Sequence, residues 1–240
     1  SVAGPLVAIN TIMAEALNNI ADSLDAKLTA GTDLDKATLE VVKETAEKHF
    51  RVVFSGDGYS DEWQKEAEVR GLKNLRTTPE ALPELTKPEV IETFAKLGVL
   101  SETELVSREN IYHEQYVLSI NVEANLTERI AKMMILPAAI RFQTELAQNV
   151  AALKAAGVDA DLANLNEVSG LITSLNSAIA ALKASRDVAH FDVIAEESLY
   201  FVKNIVPAMS AVREVVDTLE LVVADDQWPL PSYTEMLFIK

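Results

Sequence analysis

Histidine is the side chain most often recruited for metal binding or proton transfer, and this sequence has three: His49, His113 and His190. His113-Glu114 opens like a zinc-binding helix, but Val117 stands where the second histidine belongs. A di-iron bundle needs Glu-x-x-His pairs, and Ala46, Asn110 and Asp187 occupy the positions three before each histidine. His113 is therefore expected to be a polar helix residue, and Glu114, Glu123 and Glu128 a solvated helix face. Asp57-Gly-Tyr-Ser-Asp61 starts like a calcium loop, yet Tyr59 takes a ligand position and Glu62 the place of the required glycine. The Gly56-Asp57-Gly58 backbone could cup an anion with successive N–H groups, but no Gly-Lys-Ser/Thr follows. A structural turn is the simpler reading.

Cysteine is absent, which removes thiolate nucleophiles, cysteine zinc sites and disulfides together. No nucleophile–base pair, dinucleotide-binding fingerprint or kinase signature stands in the sequence. No catalytic, cofactor-binding or metal-ligating residue is assigned. Tyr112, Tyr116, Met133 and Met134 recur at helical spacing, which marks core more often than a cofactor pocket. The contact candidates are Trp228, Pro229, Leu230, Pro231 and Tyr233. A tryptophan in a proline-stiffened tail must dock somewhere, and its own bundle is the favoured place over a neighbouring subunit.

The elements that would carry these residues are helices. The eight glycines and eight prolines are few and unevenly placed, and long stretches lack turn residues. Ile9, Met13, Leu17, Ile20, Leu24 and Leu28 recur at steps of three and four, one face of a helix that Gly31 would close. A second helix starts near Asp33 or Asp35 and carries Leu39, Val42 and Ala46. Arg51-Val-Val-Phe54 is short and β-prone, the one strand candidate. Residues 55–100 read as a connector of short helices and turns, with starts at Ser60, Thr78-Pro79 and Lys87-Pro88. Ser101-Glu-Thr-Glu104 is a capping box ahead of a long helix carrying Leu105, Tyr112, Tyr116 and Ile120. Pro137 inside that helix predicts a kink near Met133–Pro137. Leu165, Val168, Ile172, Leu175, Ile179 and Leu182 form a narrow apolar seam. A last helix carries Leu199, Val202, Val206, Met209, Val212, Val216 and Leu219 around Pro207, and an apolar tail, Tyr233 to Lys240, follows. The expected fold is mainly α: an antiparallel helical bundle over 101–240 with long, proline-kinked helices and a docked tail, preceded by a helical N-terminal segment, with at most one or two short strands.

The net charge is −16 over 240 residues. Such acidity argues against nucleic acid and against anionic membrane surfaces, because phosphate contacts need clustered lysine and arginine. The 49% apolar content excludes a disordered acidic tail. The longest apolar run, Met133 to Ile140, is far below the ~20 residues of a membrane span. The first basic residue is Lys27, so the N-terminus lacks the charged start of a signal peptide. A start at Ser1 rather than methionine reads as a fragment or processed product.

Four ordered segments carry a family resemblance. They are Ser1-Val-Ala-Gly-Pro5 with Asn10-Thr-Ile-Met-Ala-Glu-Ala16; Val52-Val-Phe-Ser-Gly-Asp-Gly-Tyr-Ser60 with Trp63 and Glu66; Met134-Ile-Leu-Pro-Ala-Ala-Ile-Arg141; and the ending Trp228-Pro-Leu-Pro-Ser-Tyr-Thr-Glu-Met-Leu-Phe-Ile-Lys240. Together they resemble the C-terminal third of a type III glutamine synthetase. The resemblance implies a whole enzyme that joins ammonia to glutamate through a γ-glutamyl phosphate, using ATP and Mg²⁺ or Mn²⁺. It implies a cytoplasmic dodecamer of two stacked hexameric rings. Residues 1–54 would then close the catalytic domain, and its chemistry would lie upstream, so that this chain is inactive alone and shapes the assembly. Its partners would be the remainder of the same polypeptide and the other subunits. One departure is Leu6, where the family pattern has a polar asparagine. The alternative is a stand-alone helical interaction or scaffold protein.

Overall fold

A computed structural model describes residues 2–188 and 191–237; His190 and the last three residues of the tail lie outside them. The chain divides into two units, Ser1–Ile111 and Tyr112–Lys240, and no strand occurs among the described residues.

The first unit opens with α1 (Ala3–Thr29) and α2 (Leu34–His49), which pack on each other. Gly31 joins them at φ +88°, a left-handed conformation that only glycine adopts without strain. Asp33 caps α2, its carboxylate accepting the Asp35 N–H at 2.8 Å. The strand candidate at Arg51–Phe54 is not a strand. Phe50–Val52 is a 3₁₀ turn, and the Arg70 guanidinium donates to the carbonyls of Arg51 and Val53 at 3.1 and 2.7 Å. Those are carbonyls that a neighbouring strand would have used, and β-propensity alone cannot hold a strand without a ladder. Short helices follow as expected: α3 (Asp61–Val69), α4 (Thr78–Ala81) and α5 (Pro88–Lys96). Ser60 caps α3 by accepting the Trp63 N–H at 3.2 Å. Thr77 and Glu80 form a capping box on α4, and Pro88 occupies the first turn of α5, where its missing N–H is no loss.

Helix α6 (Glu102–Ile130) starts at the expected capping box: Glu104 accepts the Ser101 N–H at 2.8 Å, and Ser101 Oγ accepts the Glu104 N–H at 3.3 Å. At Pro137 the chain does not simply kink. Residues Ala131–Ile135 form a π-helical turn, with the Leu136 N–H reaching back to Ala131, and α7 (Leu136–Ala155) continues from it. Proline clashes with the carbonyl four residues before it. Widening the turn by one residue moves the Met133 carbonyl out of the way, the usual origin of such a bulge. The device occurs twice. Helix α9 (Ile194–Tyr200) runs into a second π-helical turn, Phe201–Ile205, and Pro207 stands at the start of α10 (Val206–Glu220).

Between them lies α8 (Ala163–Arg186), in contact with α7 and α10 and with both π turns. Its seam is as the spacing predicts: Val168, Ile172, Leu175, Ile179 and Leu182 are all buried, with Leu165 half-buried. Short connections at 156–162 and 187–193 force the chain to reverse at each end of α8. Ile135, Ala139, Ile205, Val212 and Leu219 complete the core from the flanking helices. A short α11 (Tyr233–Leu237) ends the described chain.

Candidate functional site

Two sides of α1 are covered: Thr11 and Glu15 lie on one, with Glu15 reaching α5, and Leu24 and Lys27 lie near the end of the other, with Lys27 reaching α2. Thr11 is 3% exposed and spends its hydroxyl on the Val7 carbonyl at 2.8 Å. Lys27 reaches Glu44 at 2.8 Å and Glu40 at 3.2 Å on α2; these hydrogen bonds, Glu44 first, hold its ammonium above the usual lysine range. Glu15 pairs with Lys96 of α5 at 2.9 Å. Of the apolar face predicted from the spacing, Leu24 is half-buried, whereas Ile9, Met13, Leu17 and Ile20 are exposed, Leu17 at 60%. On α2, Leu39, Val42 and Ala46 are exposed, and Ala37 and Val41 are buried instead. An exposed apolar stripe of this length is unusual for a solvent-facing helix.

The Gly56-Asp57-Gly58 loop is a structural turn. The Asp57 carboxylate accepts the Tyr59 N–H at 2.9 Å, so that donor is turned inward rather than offered to an anion. Ser60 Oγ donates to the Asp57 carbonyl at 2.8 Å. The loop is braced by Phe54 stacked on Trp63, centroids 4.4 Å apart, with the Arg70 guanidinium over the Trp63 ring. This bracing leaves Tyr59 almost wholly exposed. Among the described residues, no three His, Cys, Asp or Glu side chains come together in a way that could hold a metal ion. The described residues do not bring together a donor set for the implied Mg²⁺ or Mn²⁺.

His49 is exposed at the end of α2. His113 is a polar residue of α6, as expected, and it is buried, with 1% exposure. Its Nδ1 lies 2.7 Å from Ser198 Oγ, itself fully buried. The Ser198 hydroxyl donates its one hydrogen to the Ala195 carbonyl at 2.8 Å, so Oγ accepts and His113 Nδ1 carries the proton. The pair ties α6 to α9 across 85 residues of sequence, a separation no local pattern reveals. Glu114 and Glu123 are exposed as expected, but Glu128 pairs with Arg186 of α8, which also reaches Asn125. Tyr112 and Tyr116 are half-buried, and desolvation raises the Tyr116 hydroxyl above the usual tyrosine range, with Glu123 adding to it. Met133 and Met134 are exposed rather than core. Ala131 and Ile135, at the two ends of the π turn, are buried instead.

The tail splits. Trp228 and Leu230 pack on the core of their own unit. Trp228 is half-buried rather than fully so, and its Nε1 and the Gln227 Oε1 are buried without a hydrogen-bond partner. Pro229 is half-buried, whereas Pro231 is exposed and Tyr233 is 73% exposed. Docking of the tail on its own bundle therefore stops at Leu230 in the described residues.

Residues 37–154 match the family model of the glutamine synthetase C-terminal domain. The chain is 32% identical to the type-3 glutamine synthetase of Dictyostelium discoideum over 98% of its own length and 33% of that protein's. It is 30% identical to a glutamine synthetase of Bacteroides fragilis over 99% of its length and 34% of that protein's. A Butyrivibrio fibrisolvens glutamine synthetase is 29% identical over 90% of the chain. The chain thus spans about a third of the length of the curated relatives it matches. No helix among the described residues is long and apolar enough to cross a membrane. The chain, similar to glutamine synthetases along nearly all its length, carries at residues 37–154 a glutamine synthetase C-terminal domain.

Proposed function

We propose that this chain is the helical C-terminal portion of a glutamine synthetase, with a structural and assembly role and no catalysis of its own. In the whole enzyme, ATP and a divalent cation, Mg²⁺ or Mn²⁺, would serve the joining of ammonia to glutamate in the remainder of the polypeptide. The setting is a cytoplasmic dodecamer in which this portion shapes the subunit contacts. The observation that carries the reading is α1. Ile9, Met13, Leu17 and Ile20 on its apolar face are exposed while Thr11 and Glu15 occupy the opposite, packed side, and the relatives are three times as long as the chain. The missing two-thirds is the natural cover for that face.

The test is direct. The 240-residue chain and the whole polypeptide are assayed for ATP-dependent glutamine formation. Turnover by the whole polypeptide and none by the chain supports the reading. Turnover by the chain alone, with full-length enzyme excluded, overturns it.

A further inference from the structure

The second unit also carries an unpartnered apolar stripe, on α6. Its buried face runs through His113, Val117, Ala124 and Ala131. On the opposite side Leu118, Val122 and Leu126 stand exposed, Val122 at 57%, with Met133 beyond them. Helical geometry of about 100° per residue sets these two rows on opposite sides of the rod. Unlike α1, the stripe is narrow and nearly symmetric about its centre.

We propose that α6 is a contact between two copies of this chain, their outer stripes packed antiparallel about a two-fold axis through Val122. This deepens the assembly role proposed above and rests on it. A two-fold at Val122 sets each Leu118 against the other copy's Leu126, and Val122 against Val122. It sets Ser119 against Asn125, Asn121 against Glu123, and Gln115 against Arg129, with Glu114 one residue away from that arginine. No like charges meet. A parallel pairing in register would instead oppose Arg129 to Arg129 and Glu123 to Glu123, which disfavours that orientation. Two copies at −16 each repel overall, so the contact suits a second copy only where its own surface is locally neutral, as this stripe is. Three helical turns fall short of the ~800 Å² per partner of a stable stand-alone interface. The contact is therefore weak alone and strengthens as salt screens the net charge.

The absence of cysteine makes the test clean. Val122→Cys, Ser119→Cys, Asn125→Cys and the control Leu221→Cys, itself highly exposed, are each the single thiol of the chain. They are incubated with oxidised glutathione at matched concentration, and mass is followed by light scattering. The expected result is intermolecular disulfide at Val122→Cys forming at least tenfold faster than at Leu221→Cys. A mixture of Ser119→Cys with Asn125→Cys should link in preference to either alone. Adding Leu118→Glu to Val122→Cys should abolish the advantage. Val122→Cys linking no faster than the control, or Ser119→Cys preferring itself, overturns the contact. If the protein is nevertheless an oligomer by light scattering, the assembly role stands and only this surface fails. A monomer at every concentration that also fails to link overturns both. A Val122→Cys thiol that resists alkylation in the monomer is covered within its own chain, which likewise overturns the contact.

Discussion

Leu17→Glu on α1 separates a core helix from a docking helix. Leu17 keeps 60% of its surface in solvent. Full burial of a leucine stabilises by about 1.5–3 kcal/mol, so about 1–2 kcal/mol of that is ungained while the face is bare. Glutamate matches leucine closely in helix propensity, and its methylene stem retains part of the existing contact. In the 240-residue chain the substitution should therefore cost less than about 1 kcal/mol. Where the face is covered, the same carboxylate would be buried without a partner, a penalty of several kcal/mol. The full polypeptide should then fail to assemble or lose activity. Thr11→Glu is the inverse control. Thr11 lies on the packed side at 3% exposure, and a larger charged side chain there should destabilise the isolated chain by at least ~1–3 kcal/mol. Urea unfolding followed by circular dichroism gives the first comparison, and light scattering with glutamine formation by the full polypeptide gives the second. A loss above ~2 kcal/mol for Leu17→Glu in the isolated chain would refute the reasoning, as would an unchanged full polypeptide.

Other substitutions probe the bundle. Leu175→Ala, at a site with no exposure in the middle of α8, should cost ~2–5 kcal/mol in urea unfolding; a change below 1 kcal/mol would mean the seam is not the core. Trp228→Ala should cost about 2–4 kcal/mol, somewhat below the value for a fully buried tryptophan, because most of the ring is covered and its Nε1 is buried; no change would detach the tail from the core. Ser198→Ala should cost ~1–3 kcal/mol by stripping His113 Nδ1 of its hydroxyl partner, and His113→Leu combined with it should recover part of the loss. The Ser101 N–H and hydroxyl hold the Glu104 carboxyl below the usual glutamate range. Its contribution to stability is thus present above that range and is lost as pH falls through the lowered folded value. Glu104→Gln should flatten that part of an acid titration; an unaltered acid limb would rule the cap out.

What the sequence revealed follows from how local each signal is. The capping box at Ser101, the helix start at Thr78-Pro79 and the seam of α8 depend on residues at most four apart, and each is found where the spacing places it. The same spacing on α1 located the apolar face correctly but could not say what faces it, because periodicity fixes a stripe and not its partner. Arg51–Phe54 misled because strand propensity is realised only in a ladder, and the carbonyls were taken by Arg70, nineteen residues on. Met133 misled because it stands two residues, about 200°, beyond the buried Ala131 and so falls on the outer row of the helix with Leu118 and Val122. The His113–Ser198 tie and the Glu128–Arg186 pair join distant segments, and no signal within either segment announces them.

The paired π turns act as phase shifters. A helix carries its apolar stripe around the rod at a fixed pitch, so two segments of one continuous rod normally face the same neighbour. One extra residue per turn, placed before Pro137, advances everything beyond it by about 100°. The chain length through Ala131–Ile135 is therefore as much a part of the fold's specification as the side chains are. Deleting Met133, which keeps 65% of its surface in solvent, would remove little contact area. It would still turn the whole of α7 off its seam, an outcome that a substitution at the same position would never show.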